Sequence, residues 1–275
     1  MVVSSFFTRL QRTLKFAKQA ASQSAIPGLV IVGVARDNPF GHTGIWSSML
    51  GRWFGVIKVR TSITDGEFAL IDTHDLGQLI SCEEVLIERA YDLSVVPFRP
   101  DLIVDCGAHT GLFSLIAGLR YSSAEMIAFE PNPRNFCMAQ QQLARFGTRI
   151  RLVEAAVSTE NGEAWFRSEE SNTGFITDTC YGHEQRVRLV NLLDEAPNWS
   201  GRRLLLKMDI EGGEQEVLPH VIHSLSLPSQ CALFFEIHGG QSAWHELSNL
   251  ASRAGFQVHQ TRKRDPFADG FALRI

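Results

Sequence analysis

The stretch LIVDCGAHTGLFSL, residues 102–115, decides how this chain is read. Three apolar residues run into Asp105, Gly107 and Gly111 stand four apart, and a second apolar run starts at Leu112. A short apolar run bounded by glycine reads as a strand buried on both faces, and the run after Gly111 as a helix. Asp105 then sits at the carboxyl end of a strand, where open α/β sheets bind ligands. A buried carboxylate without a partner is costly, so its partner is sought outside the chain.

Working outward, the same alternation continues. Strands are expected at 102–105, 126–130, 150–157, 203–210 and 231–237, with helices near 111–120, 133–146, 213–225 and 241–254. That rhythm demands a mostly parallel, Rossmann-like sheet with right-handed crossovers and helices on both faces. GFQVHQTR and DGFALRI near the end have no helix between them, which predicts an antiparallel C-terminal edge pair. The stretch 158–200 carries an extra hairpin, GEAWFRSE and QRVRLVNLL, around a polar loop at 168–185. Upstream, residues 52–72 alternate and turn at Asp65-Gly66, and 73–92 reads as one helix started near Asp75. The organisation is thus an N-terminal extension (1–50), a hairpin with a lead-in helix (51–95) and the α/β domain (96–275).

The chain has 275 residues, 44% hydrophobic and 20% charged, with a net charge of −4, so nothing global invites nucleic acid or an anionic membrane. Five scattered cysteines without a CxxC pair disfavour a disulfide scaffold or zinc site and fit a reducing cytoplasm. No apolar run is long enough to span a bilayer. AIPGLVIVGVA (25–35) imitates a signal peptide, but its apolar core is short and the charged region before it too long. Residues 1–36 hold Arg9, Arg12, Lys15, Lys18 and Arg36 and no acid, leaving 21 basic against 30 acidic residues in the rest. Val3, Phe7, Leu10, Leu14, Ala17 and Ala21 line one face of an amphipathic helix. That helix packs on the domain or on a second subunit in a homodimer, in preference to docking on a membrane surface.

Two ligand classes suit the loop after Asp105. A dinucleotide needs G-x-G-x-x-G, but Gly107-Ala108-His109-Thr110-Gly111 lacks the middle glycine and follows an acid that would repel pyrophosphate. An acid suits a cation, and S-adenosylmethionine carries an ammonium and a sulfonium. The backbone of Gly107, Ala108, His109 and Gly111 would then hold its amino-acid end. In MIAFEPNP a strand ends at Glu130, 19 residues after Gly111, where a carboxylate would accept both ribose hydroxyls, with Asn132 bordering the adenine. Small Ala155 and Ala156 in VEAAVS would let the adenine edge approach the backbone. In LLLKMDIEGGEQEVL (204–218), Lys207, Asp209 and Glu211 alternate onto one face at the end of a buried strand. LFFEIHGG repeats the theme with Glu236 and His238. Charges so placed are expensive unless they act on something.

In the order DCGAHTG, AFEPNP, VEAAVS, LKMDIEGGEQEVL and FFEIHG, the chain resembles the FkbM family of class I S-adenosylmethionine-dependent methyltransferases. The likeness covers about residues 73–240, and Lys207 to Glu214 carry its most specific motif. It implies O-methylation of a hydroxyl on a sugar, polyketide or other natural product, with S-adenosylmethionine as cofactor. Asp209 is the first choice for general base or for gripping the cofactor side of the pocket, and His238 the second. Glu211 orients one of them or caps the Gly213 turn. Lys207 neutralises the acids. No metal is required, although Asp209, Glu236 and His238 offer an alternative ion site. Cys106 reads as a core residue, and Tyr91, His74 and His42 as lid or surface positions. A non-catalytic cofactor-binding module and a nicotinamide-dependent oxidoreductase are the alternative readings.

Overall fold

The computed structural model describes residues 56–60, 68–72, 75–87, 90–168, 174–177, 184–196, 199–224, 227–263 and 267–275. The basic N-terminal segment, the Asp65-Gly66 turn, His42 and His74 lie outside them. The chain divides into two units between Ala90 and Tyr91. In the smaller, β1 (Val56–Arg60) pairs antiparallel with β2 (Phe68–Asp72), as the alternation requires. α1 (Leu76–Cys82) starts where Asp75 Oδ1 accepts from the Gln78 backbone N–H at 3.2 Å. The single helix expected over 73–92 is cut short: a π-turn at Glu83–Ile87 follows, and the Ala90 N–H reaches back to the Glu84 carbonyl. A bond that wide takes the chain off the helical path.

In the larger unit, β3 (Leu102–Cys106), α2 (Leu112–Arg120), β4 (Glu125–Phe129), α3 (Pro133–Leu143) and β5 (Ile150–Val153) come first. There follow β6 (Ala156–Ser158), β7 (Gly162–Ser168), β8 (Gly174–Thr177), β9 (Gln185–Asn191) and a single turn, α4 (Leu192–Glu195). β10 (Leu204–Met208), α5 (Glu214–Ile222), β11 (Cys231–His238), α6 (Gly240–Arg253), β12 (Gln257–Lys263) and β13 (Phe267–Arg274) complete it. The main sheet has the order β12-β13-β11-β10-β3-β4-β5. The five strands from β11 to β5 are parallel, and β13 runs antiparallel between β11 and β12.

Alternate residues of these strands serve opposite faces. Leu102, Val104, Leu204, Leu206, Leu233 and Phe235 join one core with Val217 and Val221 of α5 and Trp244 and Leu247 of α6. On the other face, Phe234 meets Phe113 of α2 edge-on at 6.4 Å between centroids. Helices therefore cover both faces, and each fully buried Leu or Phe contributes roughly 1.5–3 kcal/mol. Strand order runs β3-β4-β5 one way and β10-β11 the other, so the sheet reverses between β3 and β10. That is the position where open α/β sheets bind ligands.

One expected strand divides. Residues 150–157 form β5 and then β6, because the Val153 carbonyl accepts both the Glu130 and the Ala155 N–H and ends the ladder. β6 leaves to pair with β9 in a second sheet, ordered β6-β9-β7-β8. The hairpin expected in 158–200 is β7 with β9, and β8 is added within its polar loop.

Candidate active site

The register of β3, β10 and β11 aligns Asp105, Lys207 and Phe234 in one row, on the face that α2 covers. Lys207 Nζ stands 3.5 Å from Asp105 Oδ1 and 3.5 Å from Asp209 Oδ2, and donates to the Gly107 carbonyl at 2.5 Å. It is the cation the two acids share. Asp105 is 0% exposed and accepts from Ser114 Oγ at 2.7 Å, while its Oδ1 has no hydrogen bond among the described residues. Burial pushes its carboxyl up, opposed by Lys207 and Ser114. The partner sought outside the chain is thus found within it, in Lys207 and Ser114. The acid has no accessible surface, and its partner is Lys207; what it offers a ligand is its field.

Gly107 adopts φ +80°, and a Cβ there would lie 1.8 Å from the Asp209 carbonyl oxygen. Only glycine fits, because the end of β10 crosses that close. The Cβ of a residue at 111 would meet Leu143 of α3 at 3.0 Å. Both glycines thus answer to the chain's own packing. The loop is fixed by the Gly107 and Ala108 N–H groups on the Phe129 carbonyl, at 3.1 and 2.8 Å. His109 is held at φ 51°, a strained conformation for a non-glycine residue. Its N–H donates to Glu130 Oε2 at 2.7 Å, and the Asn132 N–H donates to Oε1 at 2.9 Å. Glu130 thereby ties the loop after β3 to the loop after β4. Burial raises its pKa to about 7 against those two bonds. Asn132 Oδ1 accepts from the Arg134 N–H at 3.0 Å and caps α3, so its side chain serves the helix. Ala155 is wholly inside the main core, and Ala156 packs with Phe166 and Val187 of the second sheet. Their side chains serve packing.

Asp209 follows β10, its N–H bonded to the Cys106 carbonyl at 3.1 Å, and its side chain is 25% exposed. Burial works against its charge, yet Lys207, His238 and the Tyr91 hydroxyl together hold its pKa below the ordinary carboxylate range. His238 Nε2 lies 3.0 Å from Glu211 Oε2, and Nδ1 lies 3.2 Å from Glu214 Oε1. Burial opposes its charge, but hydrogen bonds to these two carboxylates raise its pKa to about 11. Both ring nitrogens thus face carboxylates, Nε2 toward Glu211 and Nδ1 toward Glu214, a setting that favours the protonated ring. Glu211 pairs with His238. The turn is instead capped by Glu214, fully buried, which accepts from the Ile210 N–H at 2.8 Å and the Gly212 N–H at 3.0 Å. Donor atoms of Asp209, Glu211 and His238 lie within 4.8 Å of one another, a spread an ion could use. Within that cluster His238 lies between Glu211 and Glu214.

The sequence reading left Tyr91 as a lid or surface position, but its ring is 9% exposed and its hydroxyl donates to Asp209 Oδ2 at 2.8 Å. Glu214 and Ser114 were likewise missed. Glu214 stood inside the charged motif, so a signal existed for it; Ser114 and Tyr91 read as ordinary helix residues. A recess lined by Asn161, Arg188, Asp194 and Glu195 holds none of these groups, and its side chains pair with one another.

A parallel sheet with a glycine loop at its reversal point is the architecture of the α/β class of S-adenosylmethionine-dependent methyltransferases. The chain belongs to the methyltransferase FkbM domain family, which it matches over residues 105–258. It is 30% identical over 162 residues to Methyltransferase 1 of Beauveria bassiana, covering 50% of this chain and 64% of that relative's length. It is 26% identical over 221 residues to the 31-O-demethyl-FK506 methyltransferase FkbM of Streptomyces tacrolimicus, covering 68% of this chain and 84% of that one. Among solved structures it is similar to M. jannaschii TYW2 in complex with AdoMet. That match has 11% identity and a TM-score of 0.47, covering 80% of this chain and 87% of the other.

The residues present fit the cofactor. Among the described residues, Asp105, Asp209, Glu211, Glu214 and Glu236 lie about Lys207 and His238, and an acid-rich setting of this kind suits a sulfonium and an ammonium. Among the described residues, no helix is long and apolar enough to cross a membrane.

Proposed function

We propose that this chain methylates a hydroxyl of a small natural product, a sugar or a polyketide, with Asp209 taking the hydroxyl proton. The observation that carries the reading is the Asp209 carboxylate: partly exposed and anchored at the reversal point by Tyr91 and Lys207. When bound, S-adenosylmethionine supplies an electrophilic methyl group on a sulfonium. Glu130 would receive the ribose hydroxyls, and the backbone from Gly107 to Gly111 would border the amino-acid end. The cleft acids would hold the positive charge, with Lys207 keeping them from repelling one another. An alcohol O–H becomes strongly acidic as a third bond, to the incoming methyl carbon, forms on its oxygen. Even a weak base such as Asp209 then suffices, provided it is already in place. The name of the Streptomyces relative, which specifies an oxygen-linked methyl, supports an oxygen acceptor here.

The test is methyl transfer from S-adenosylmethionine over a panel of hydroxylated sugars and macrolides, with the product's methoxy group identified by NMR. Asp209→Asn is expected to lower kcat by about 10²–10⁴, far more than it weakens cofactor binding. Full activity in that variant, or methylation at nitrogen or carbon, overturns the reading.

A further inference from the structure

We propose that Tyr91 is a positioning residue that selects which oxygen of Asp209 receives the acceptor's proton, an inference that rests on the role just given to Asp209. The phenol donates to Asp209 Oδ2 at 2.8 Å from a position 118 residues upstream. Lys207 Nζ lies 3.5 Å from that same oxygen and 5.6 Å from the centre of the Tyr91 ring. Both partners therefore occupy Oδ2. Oδ1 carries no hydrogen bond from the described residues and is the oxygen left for a substrate.

The donor is held rigidly. The Tyr91 ring stands edge-on to Phe113 at 5.3 Å and to Phe234 at 6.1 Å, wedged between a helix and the sheet. Burial and the nearby Asp209 keep the phenol protonated, so it remains a donor. A carboxylate fixed through one oxygen presents the other without reorganising during the reaction. In the step itself the acceptor O–H bond breaks as the new O–CH₃ bond forms. The proton passes to Asp209 Oδ1, and the electron pair of the broken S–CH₃ bond stays on sulfur as a neutral thioether. Nothing else is consumed.

Removing the hydroxyl frees the carboxylate to rotate and removes a donor that favours its ionised form. Lys207, His238, Asp105 and Glu211 still act on Asp209 in the variant, so a difference from the parent belongs to the phenol.

The experiment compares the full-length parent, Tyr91→Phe and Asp209→Asn. Measured quantities are cofactor affinity, the kcat and KM of transfer, and the ¹³C titration of the Asp209 carboxyl. For Tyr91→Phe the expected result is a roughly tenfold fall in kcat with KM and cofactor Kd within about twofold. The carboxyl titration and the acid limb of the rate profile should both move up by about one pH unit. A merely structural role would weaken cofactor binding and stability and leave the titration in place, which refutes the proposal. An unchanged kcat in Tyr91→Phe beside an inactive Asp209→Asn refutes it alone. An active Asp209→Asn refutes the base assignment and, with it, this inference.

Discussion

Glu130 offers a prediction whose size follows from its surroundings. Its carboxyl is 5% exposed, and burial lifts its pKa from the ordinary 4.5 to about 7. Between those values the folded chain keeps a proton that the unfolded chain gives up, so stability falls as pH rises. The contribution is fully present below pH 4.5 and lost by about pH 7. At about 1.4 kcal/mol per pH unit, the window is worth about 3 kcal/mol. Glu130→Gln abolishes the titration. The amide oxygen can serve one of the two N–H donors from His109 and Asn132, but its NH₂ faces the other, at a cost of about 1–3 kcal/mol. The variant should be the less stable protein at pH 5, and the gap should close by pH 8. Urea midpoints of both proteins across that range measure the difference, and other titrating groups cancel in it. Parallel pH curves would show that Glu130 is ionised throughout, and the argument fails. Bound ribose hydroxyls favour the carboxylate, so cofactor affinity should rise through about pH 7, with a proton released on binding. Calorimetry in two buffers of different ionisation enthalpy reads that proton directly.

Other predictions concern the loop and the imidazolium. Gly107→Ala brings a Cβ to 1.8 Å from a backbone oxygen at φ +80°, and relief requires the ends of β3 and β10 to separate. A loss of about 2–5 kcal/mol is expected in urea unfolding, strain of about 1–2 kcal/mol plus about 1–3 kcal/mol for the broken Asp209–Cys106 bond. A near-neutral result would mean the two strand ends do not approach this closely. His238, held between Glu211 and Glu214, should show both ring nitrogens protonated by ¹⁵N NMR at pH 8, with no titration between pH 5 and 9. A midpoint near 6.5 would mean that the two carboxylates do not hold the ring protonated.

The parallel sheet was legible because its strands are buried on both faces and appear as unbroken apolar runs between helical periods. The alternation of β3, β4, β10 and β11 with their helices needed nothing more. The break between β5 and β6 was not legible. Val153 and Val157 stay apolar on both sides of it, and a period of two cannot register a strand changing sheets. Asp209, Glu211 and His238 stood out because charges at the end of a buried strand conflict with their setting. Their division of labour did not, since it depends on which carboxylate reaches which ring nitrogen across the gap between β10 and β11. Tyr91 was invisible for a plainer reason: its partner lies 118 residues away, and nothing local marks a tyrosine that will donate to an acid.

The second sheet has a consequence for how this chain can change. It leaves the main body at β6 and returns along β9, and these strands run side by side, with Ser158 opposite Asn191. The junction is stapled by Asn161, which accepts from the Asn191 N–H, and by Glu195, which pairs with Arg188 of β9 and Arg151 of β5. An excursion whose two ends are fastened together closes at nearly the same entropy whatever its length. Changes in length between those ends, in the stretch from β7 to β8, would therefore cost little closure entropy while Val157 and Val190 stay in the main core.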